Sequence, residues 1–164
     1  MDLQVLMFHQ DDPTKCTAAK LVKFGMARQV RKTSQKSIVL NPFSEEFLLK
    51  SNCINLTSIV AIDCSWEFAQ KMFFKGFSGV SRKLPPLLAG NPVNYAKTGK
   101  LTTAEAIAGA LYIIGLTDLA TSILNKFKWG HTFYDLNRDL LLDYSKASKH
   151  EEIIQIAQDY GLTI

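Results

Sequence analysis

The chain has 164 residues, of which 47% are hydrophobic, and its 19 basic and 15 acidic side chains give a formal net charge of +4. A disordered tail or a low-complexity linker is excluded, because this apolar content is enough to bury the core of one domain. The longest nearly uncharged apolar run, residues 106–116, is well short of the roughly 20 residues that a membrane span needs, and residues 1–3 lack the basic start of a signal peptide. We therefore expect a soluble, cytoplasmic protein that does not associate with membranes.

Strand and helix alternate at the start of the chain. Residues 3–9 form a short apolar run that predicts a strand, and Thr17 is placed to cap a helix that ends at Gly25. Residues 37–40 predict a second strand. Ser44, which two acidic residues follow, is expected to open the next helix, because acids favour the positive end of the helix dipole.

A third strand is predicted over residues 58–62, which are apolar after the first residue and rich in β-branched side chains. This pattern is typical of a parallel strand that is buried on both faces. The strand ends at Asp63, and a helix over residues 65–75 follows. Strands that alternate with helices predict a parallel sheet with right-handed crossovers.

The second half of the chain contains no alternating strand pattern and is predicted to be helical. Residues 102–105, Thr-Thr-Ala-Glu, form a capping box that opens a helix to about residue 114. This helix must be enclosed, because it is apolar nearly all round. Helices over 118–127 and 134–144 follow, and a second capping box at Ser148 opens the last one. The predicted fold class is α/β, with an N-terminal parallel sheet, flanking helices and a mainly helical C-terminal half.

The cysteines and histidines form no metal-binding pattern. The three cysteines contain no CxxC pair, and the three histidines contain no HxxxH or HExxH pair. We therefore expect reduced thiols and no metal site. Cys16 and Cys64 are interpreted as small buried residues rather than nucleophiles.

The basic side chains are concentrated in two stretches without acids. Residues 13–44 carry seven bases and residues 68–104 carry six, whereas residues 106–164 carry five bases and seven acids. Such a distribution is expected of a protein that binds the phosphate backbone of RNA, and the alternative is a solvated face that only aids solubility. The predicted RNA-binding residues are Lys15, Lys20, Lys23, Arg28, Arg31 and Lys32.

Four sequence blocks carry a family resemblance. They are His-x-x-Asp-Pro-x-Lys-Cys-Thr at 9–17, Asp-Cys-Ser-Trp at 63–66, a stretch around Asn-Pro-Val-Asn-Tyr at 82–106, and Phe-Lys-Trp-Gly with the residues after it at 127–137. Together, and in this order over nearly the whole chain, they resemble the small-subunit ribosomal RNA aminocarboxypropyltransferase family. The chain lacks the charged extensions of eukaryotic relatives, which suggests an archaeal member. It departs from the family pattern at Ala96, where glycine usually follows the tyrosine.

The resemblance implies a fold similar to the SPOUT RNA methyltransferases, with a deep trefoil knot at the site for S-adenosylmethionine (SAM). It implies an α/β domain over residues 1–89 and a helical domain with the knot over residues 90–164. The implied reaction transfers the 3-amino-3-carboxypropyl group of SAM to N3 of a (methyl)pseudouridine and releases 5′-methylthioadenosine. The implied partner of this monomeric enzyme is small-subunit rRNA or the pre-ribosomal subunit. The alternatives are a SPOUT-type rRNA methyltransferase and a ribosome-assembly factor without catalysis.

The SAM site is expected at the carboxyl ends of the strands, where open parallel sheets bind their ligands. With the resemblance, adenine is expected against Pro42 and Trp66, and the ribose at the Thr17 hydroxyl. The carboxylate of SAM is expected at Thr103, at a helix N-terminus. The predicted SAM-binding residues are Thr17, Leu40, Pro42, Ile62, Trp66, Leu84, Gly99 and Thr103.

Asp63 is the predicted catalytic residue. Its carboxylate would accept the N3 proton of the base or orient the amino group of SAM, and the sequence does not separate these roles. A purely structural alternative is that Asp63 caps the helix near residue 65. In the same way, Trp66 is open to interpretation as a core aromatic and Thr17 as a helix cap.

Overall fold

The computed structural model describes residues 1–10 and 12–164, except for the side chains of residues 66 and 67. Within this part of the chain, five parallel strands form one sheet in the order β2-β1-β4-β3-β5. The strands are β1 (Asp2–Met7), β2 (Arg28–Val30), β3 (Ser37–Leu40), β4 (Ser58–Asp63) and β5 (Val80–Arg82). The predicted parallel sheet is therefore confirmed.

Six α-helices accompany the sheet, two of them before β5 and four after it. They are α1 (Thr17–Lys23), α2 (Trp66–Phe74), α3 (Thr103–Ile114), α4 (Thr117–Leu124), α5 (Gly130–Lys146) and α6 (His150–Asp159). A 3₁₀-helix spans Lys50–Cys53. None of the described helices combines the length and the apolar character that a membrane crossing requires.

The helix that was expected to open at Ser44 is absent from the described residues, so this prediction is wrong. Residues 44–49 run in an irregular conformation, and Phe47 forms an isolated parallel bridge with Lys83. The physical reason is burial, because three consecutive apolar side chains at residues 47–49 are all buried. A helix at the edge of the core would bury only one face of such a run.

Two strands, β2 and β5, escaped prediction. Each has three residues and lies at an edge of the sheet. Because β2 is mostly exposed and β5 is only half-buried, neither shows the continuous apolar run that marks the central strands. Arg28, one of the predicted RNA-binding residues, is the first residue of β2.

The helix caps differ in detail from the predictions. The capping box of α3 is confirmed, since the Thr102 side chain accepts from the Glu105 amide. By contrast, Cys16 and not Thr17 is the N-cap residue of α1. The second predicted box is also wrong, because Lys149 is the N-cap of α6 and the Ser148 amide donates to the Glu152 carboxylate.

One continuous hydrophobic core joins the sheet to the helical half. Alternate residues of the central strands, such as Val5 and Ile59, belong to the same cluster as Ala18 of α1 and the apolar residues of α3. Residues 107–114 of α3 are all buried, as the enclosure prediction required. The helix α3 packs against β4, α1, α4 and α5. Its fully buried Ile107 and Leu111 each contribute about 1.5–3 kcal/mol to stability.

Candidate active site

A cleft of about 760 Å³ opens at the carboxyl ends of β3, β4 and β5, and the segment between β1 and α1 also lines it. From β1 the chain first moves outward to β2, and it later builds β3, β4 and β5 on the other side of β1. Such a switch in strand order leaves a crevice beyond the strand ends, where ligands of open α/β sheets bind. The topology therefore accounts for the position of the cleft.

One wall of the cleft is apolar. The side chains that line it come from β3 and the residue two positions after it, from β4, and from the segment after β5. They belong to Leu40, Pro42, Ile62 and Leu84. The fold therefore brings together four of the residues that were predicted to bind SAM. Flat apolar surface of this kind suits an aromatic ring such as adenine. The Trp66 side chain lies outside the described residues.

Asp63 is held at the edge of the cleft by hydrogen bonds from two other elements. Its Oδ1 accepts from the Thr103 hydroxyl at 3.1 Å, and its Oδ2 accepts from the Cys16 thiol at 3.2 Å. Both donors are neutral, and each carboxylate oxygen keeps further acceptor capacity. The N-cap of α2 is Ser65, whose side chain makes no capping hydrogen bond. The contacts of Asp63 therefore join β4 to the N-terminal ends of α1 and α3.

Cys16 and Cys64 are only half-buried, so the interpretation as small buried residues is wrong in this respect, and Cys16 has two contacts that it did not include. Its sulfur accepts from the Ala19 amide at 3.3 Å, which caps α1, and its thiol donates to Asp63. Burial is the main influence that raises the pKa of the Cys16 thiol, and the contact with Asp63 raises it further. The thiol is therefore kept protonated, as a donor must be. Its position directly before the helix start was the available sequence signal.

Thr17 and Thr103 both line the cleft, but their hydroxyl groups already have protein partners. The Thr17 Oγ1 accepts from the Ala104 amide at 3.2 Å, and the Thr103 hydroxyl donates to Asp63. Thr17 therefore joins the start of α1 to the start of α3. The two residues that were predicted to bind SAM therefore lie in the cleft, at the point where a hydrogen bond joins the start of α1 to the start of α3.

The loop of residues 91–100 forms another wall of the cleft and contains the predicted Gly99. The fully buried carboxylate of Glu105 binds both ends of this loop. Its Oε1 accepts from the amides of Gly90 at 2.7 Å and Asn91 at 2.9 Å. Its Oε2 accepts from Asn91 Nδ2 at 2.8 Å and from the Thr102 amide at 2.7 Å. The sequence predicted Glu105 only as the partner in the capping box. A single acid in an otherwise apolar helix was a further signal that this carboxylate is buried and needs hydrogen-bond donors from other segments.

A second buried amide supports the segment that enters this loop. The Asn137 side chain accepts from the Leu88 amide and donates to the Leu88 carbonyl, both at 2.8 Å. It therefore pairs with Leu88 as a neighbouring strand would. At Gly90 the backbone of α5 approaches so closely that a Cβ would lie 2.3 Å from the Phe133 nitrogen. Position 90 therefore requires glycine.

The predicted RNA-binding residues do not all meet in one place. Lys15 lines the cleft, and Lys20 and Lys23 lie in the last turn of α1. Arg28 forms an ion pair with Asp2 at 2.7 Å, and this hydrogen bond is the main reason why the pKa of Asp2 is lowered. Arg31 and Lys32 line a second, smaller depression of about 320 Å³, together with Phe8 and Phe77.

Groups of three or more side chains that would bind a metal are absent from the described residues. A family model for a possible Fer4-like domain in RNase L inhibitor matches residues 1–35. This segment contains a single cysteine, Cys16, whereas iron–sulfur clusters are held by four protein ligands. The match therefore supplies no ligand set for a cluster.

Comparisons with known proteins agree on one family. Residues 38–161 match the model of the ribosome biogenesis protein C-terminal family. A 16S rRNA aminocarboxypropyltransferase of Halobacterium salinarum is 41% identical over 98% of this chain and 96% of its own length. A 16S rRNA aminocarboxypropyltransferase of Methanococcoides burtonii is 42% identical over 97% of this chain and 95% of its own length.

A solved structure matches as well. The SAM-dependent rRNA:acp-transferase Tsr3 from Vulcanisaeta distributa superimposes with a TM-score of 0.88 at 34% identity, over 98% of this chain and 89% of that one. The relatives are thus similar in sequence over nearly the whole chain, and Tsr3 shares its fold. The chain belongs to the 16S rRNA aminocarboxypropyltransferase family.

Proposed function

We propose that this protein transfers the 3-amino-3-carboxypropyl group of SAM to N3 of a (methyl)pseudouridine in small-subunit rRNA. The carbon–sulfur bond of the sulfonium breaks, an N3–carbon bond forms as N3 loses its proton to a base, and 5′-methylthioadenosine leaves with the sulfur electron pair. The observation that carries the proposal is the position of Asp63, between the apolar wall of the cleft and the N-terminal end of α3. The named activity of the archaeal relatives and of Tsr3 supports it.

The cleft fits SAM in size and in polarity. Small-molecule sites usually measure about 300–1,000 Å³, and they combine apolar walls with a few polar groups. Here the apolar wall with Pro42 and Ile62 suits the adenine ring, and the polar end with Asp63 and Thr103 suits the amino acid part of SAM. An ammonium group would pair with the carboxylate, and the N-terminus of α3 favours the negative carboxylate of SAM.

Reaction selectivity in this site is mainly a matter of positioning. A sulfonium has three electrophilic carbons, and the one that is in line with the nucleophile reacts. Transfer of the aminocarboxypropyl group requires the methyl group to be turned away from the RNA. Asp63 is the group we assign to this step, as the acceptor of the N3 proton or as the group that orients the SAM amino group.

A labelling experiment tests the proposal. The protein is incubated with small-subunit rRNA and SAM labelled either in the methyl carbon or in the carboxyl carbon. Carboxyl label in the RNA, together with released methylthioadenosine, is the expected result. Methyl label would instead identify a SPOUT-type methyltransferase, and no label would identify an assembly factor without catalysis. A variant Asp63→Asn that transferred the group at the wild-type rate would refute the assigned role of Asp63.

The RNA interface is the second part of the proposal. We assign phosphate contacts to Lys15, Lys20, Lys23, Arg28, Arg31 and Lys32, and we expect the partner to be small-subunit rRNA or the pre-ribosomal subunit. Reversal of the three bases Lys20, Lys23 and Arg28 to glutamate should weaken RNA binding and flatten its salt dependence, while SAM affinity is retained. An unchanged salt slope would indicate that these residues do not contact phosphates and only aid solubility.

Four further assignments complete the proposal. We assign a monomer in the cytoplasm, a reducing compartment that suits cysteines without a disulfide bond, and a division at residue 89 between an α/β domain and a helical domain. We also propose a SPOUT-like trefoil knot formed by the chain around residues 84–103, which would close the cleft over SAM. Stretching the chain from its two ends tests this knot, because a knotted chain retains a shorter contour length than an open chain of 164 residues.

A further inference from the structure

The cleft loop, residues 91–100, has an outer face that the SAM site does not use. Val93, Asn94, Thr98 and Gly99 line the cleft. Tyr95 stands between them in sequence and is 59% exposed. Lys97 is also exposed. An aromatic ring and a cation therefore lie within one or two residues of the wall of the proposed SAM site.

The backbone that carries Tyr95 is rigidly held. The Ala96 amide donates to the Ala89 carbonyl at 2.7 Å, the Ala89 amide to the Lys97 carbonyl at 3.0 Å, and the Lys97 amide to the Asn94 carbonyl at 2.9 Å. Leu88 and Thr98 add an antiparallel bridge. Together with the Glu105 carboxylate, these bonds hold the loop backbone in a fixed arrangement, so little backbone entropy is lost when a partner binds.

The chemistry of the proposed target explains what such a surface would bind. N3 of a pseudouridine lies on its pairing edge, so the base must be unpaired and turned out of its stack before N3 reaches the cleft. Turning the base out exposes the faces of its neighbours. An aromatic side chain compensates for lost stacking by about 1–3 kcal/mol per base, and nearby cations bind the backbone. Residues 68–104 contain no acid that would repel the phosphates.

We propose that the cleft loop is the RNA-facing side of the active site, where Tyr95 stacks on the base next to the target nucleotide and Lys97 contacts a phosphate. The inference rests on the proposed function, because it takes rRNA as the substrate. It adds residues outside the basic stretch at 13–44, and it assigns the loop two faces, one for SAM and one for RNA.

The test compares Tyr95→Ala with Tyr95→Phe, which retains the stacking ring. Tyr95→Ala should raise the KM for RNA at least fivefold, as the loss of about 1–3 kcal/mol of stacking implies. Tyr95→Phe should stay within about twofold of wild type, because the ring face is unchanged. The SAM dissociation constant of both variants should match that of wild type. Tyr160→Ala, which removes a tyrosine that is 44% exposed on the acidic half of the chain, is the matched control.

Lys97→Ala provides an independent readout. It should reduce the slope of log affinity against log salt by about 0.7, the value for one phosphate contact in a single strand. Lys128→Ala, an exposed lysine outside both basic stretches, should leave the slope unchanged. An unchanged slope for Lys97→Ala would overturn the phosphate contact.

The outcomes for the inference and for the proposed function are distinct. If wild-type protein labels the RNA but Tyr95→Ala retains the wild-type KM for RNA, the inference is wrong and the proposed function stands. If Tyr95→Ala also loses SAM affinity, Tyr95 is a structural residue and the inference is again wrong. If wild-type protein transfers no aminocarboxypropyl group, the proposed function fails, and weaker RNA binding by Tyr95→Ala in a direct binding assay would still support the RNA contact.

Discussion

The buried carboxylate of Glu105 offers the sharpest test of how the cleft is held together. Four N–H donors converge on its two oxygens, and the side chain is fully buried. The substitution Glu105→Gln keeps the size and shape of the side chain. It replaces one acceptor oxygen by an NH₂ group, which cannot accept a hydrogen bond.

The magnitude follows from the contacts that an amide can no longer make. With its oxygen at the position of Oε1, the glutamine still accepts from the amides of Gly90 and Asn91. Its NH₂ group then faces Asn91 Nδ2 and the Thr102 amide, both of which lose their acceptor. Asn91 cannot turn over freely, because its Oδ1 accepts from the Asn94 amide at 3.0 Å. Two lost bonds to a charged acceptor cost about 3–6 kcal/mol together.

Urea unfolding followed by circular dichroism measures this cost, and titration calorimetry measures SAM affinity. We expect Glu105→Gln to lose about 3–6 kcal/mol of the free energy of unfolding, and to bind SAM more weakly because the cleft loop is no longer held at both ends. Asn91→Ala removes one of the four donors together with the side-chain bond from the Asn94 amide, and it is the second variant that keeps the test informative if the glutamine variant unfolds. Glu151→Gln, at an exposed position in the first turn of α6, is the control and should cost less than about 1 kcal/mol, because it loses only an interaction with the helix dipole. A loss below about 1 kcal/mol with unchanged SAM affinity would refute the reasoning.

Three further predictions concern the surroundings of the cleft. Ala96 has a φ of 60°, a left-handed conformation that glycine adopts without strain. Ala96→Gly should therefore stabilise the protein by about 0.5–1 kcal/mol, which corresponds to a Tm rise of about 2 °C. A lower Tm would contradict this. Gly90→Ala should cost about 3 kcal/mol or more in urea unfolding because a Cβ meets the Phe133 backbone, and a neutral result would disprove that contact. Cys16→Ala should lose about 1 kcal/mol of stability from the helix cap and should slow the transfer, because Asp63 loses a hydrogen-bond donor. Cys16→Ser should retain both the stability and the transfer rate of wild type. Equal behaviour of the two variants would exclude the thiol as a donor. Folding raises the pKa of the Cys16 thiol, so the protonated thiol favours the folded state. This contribution to stability is complete below the unfolded thiol pKa of about 8.5, and it is lost as pH rises through the folded pKa. Wild type should therefore lose more stability than Cys16→Ser between pH 8 and pH 10.

The central strands and α3 could be predicted because their signals are local. The apolar β-branched run before Asp63 is long enough to mark a buried strand, and the residues at 102–105 carry their own cap. The edge strands β2 and β5 could not be predicted, since three exposed or half-buried residues form a strand only when a neighbour supplies the ladder.

The candidate site divides in the same way. Residues that line the cleft because they lie at the carboxyl end of a strand, such as Leu40, Ile62 and Asp63, were predictable from the rule on strand ends. The partners of Asp63 were not, because Cys16 and Thr103 are 47 and 40 residues away in sequence. The same holds for the bond between Thr17 and Ala104, which spans 87 residues.

The sequence by itself determined the α/β class, the buried strand that ends at Asp63, the capped apolar helix and the two acid-free stretches. Each of these depends on side-chain type and spacing within one segment. The tertiary structure alone decided that Cys16 and Thr103 hold the carboxylate, and that Glu105 closes a loop as well as capping a helix. Hydrogen-bond partners of buried polar groups are chosen by packing, because a buried donor or acceptor must be satisfied by whichever group the fold brings within reach.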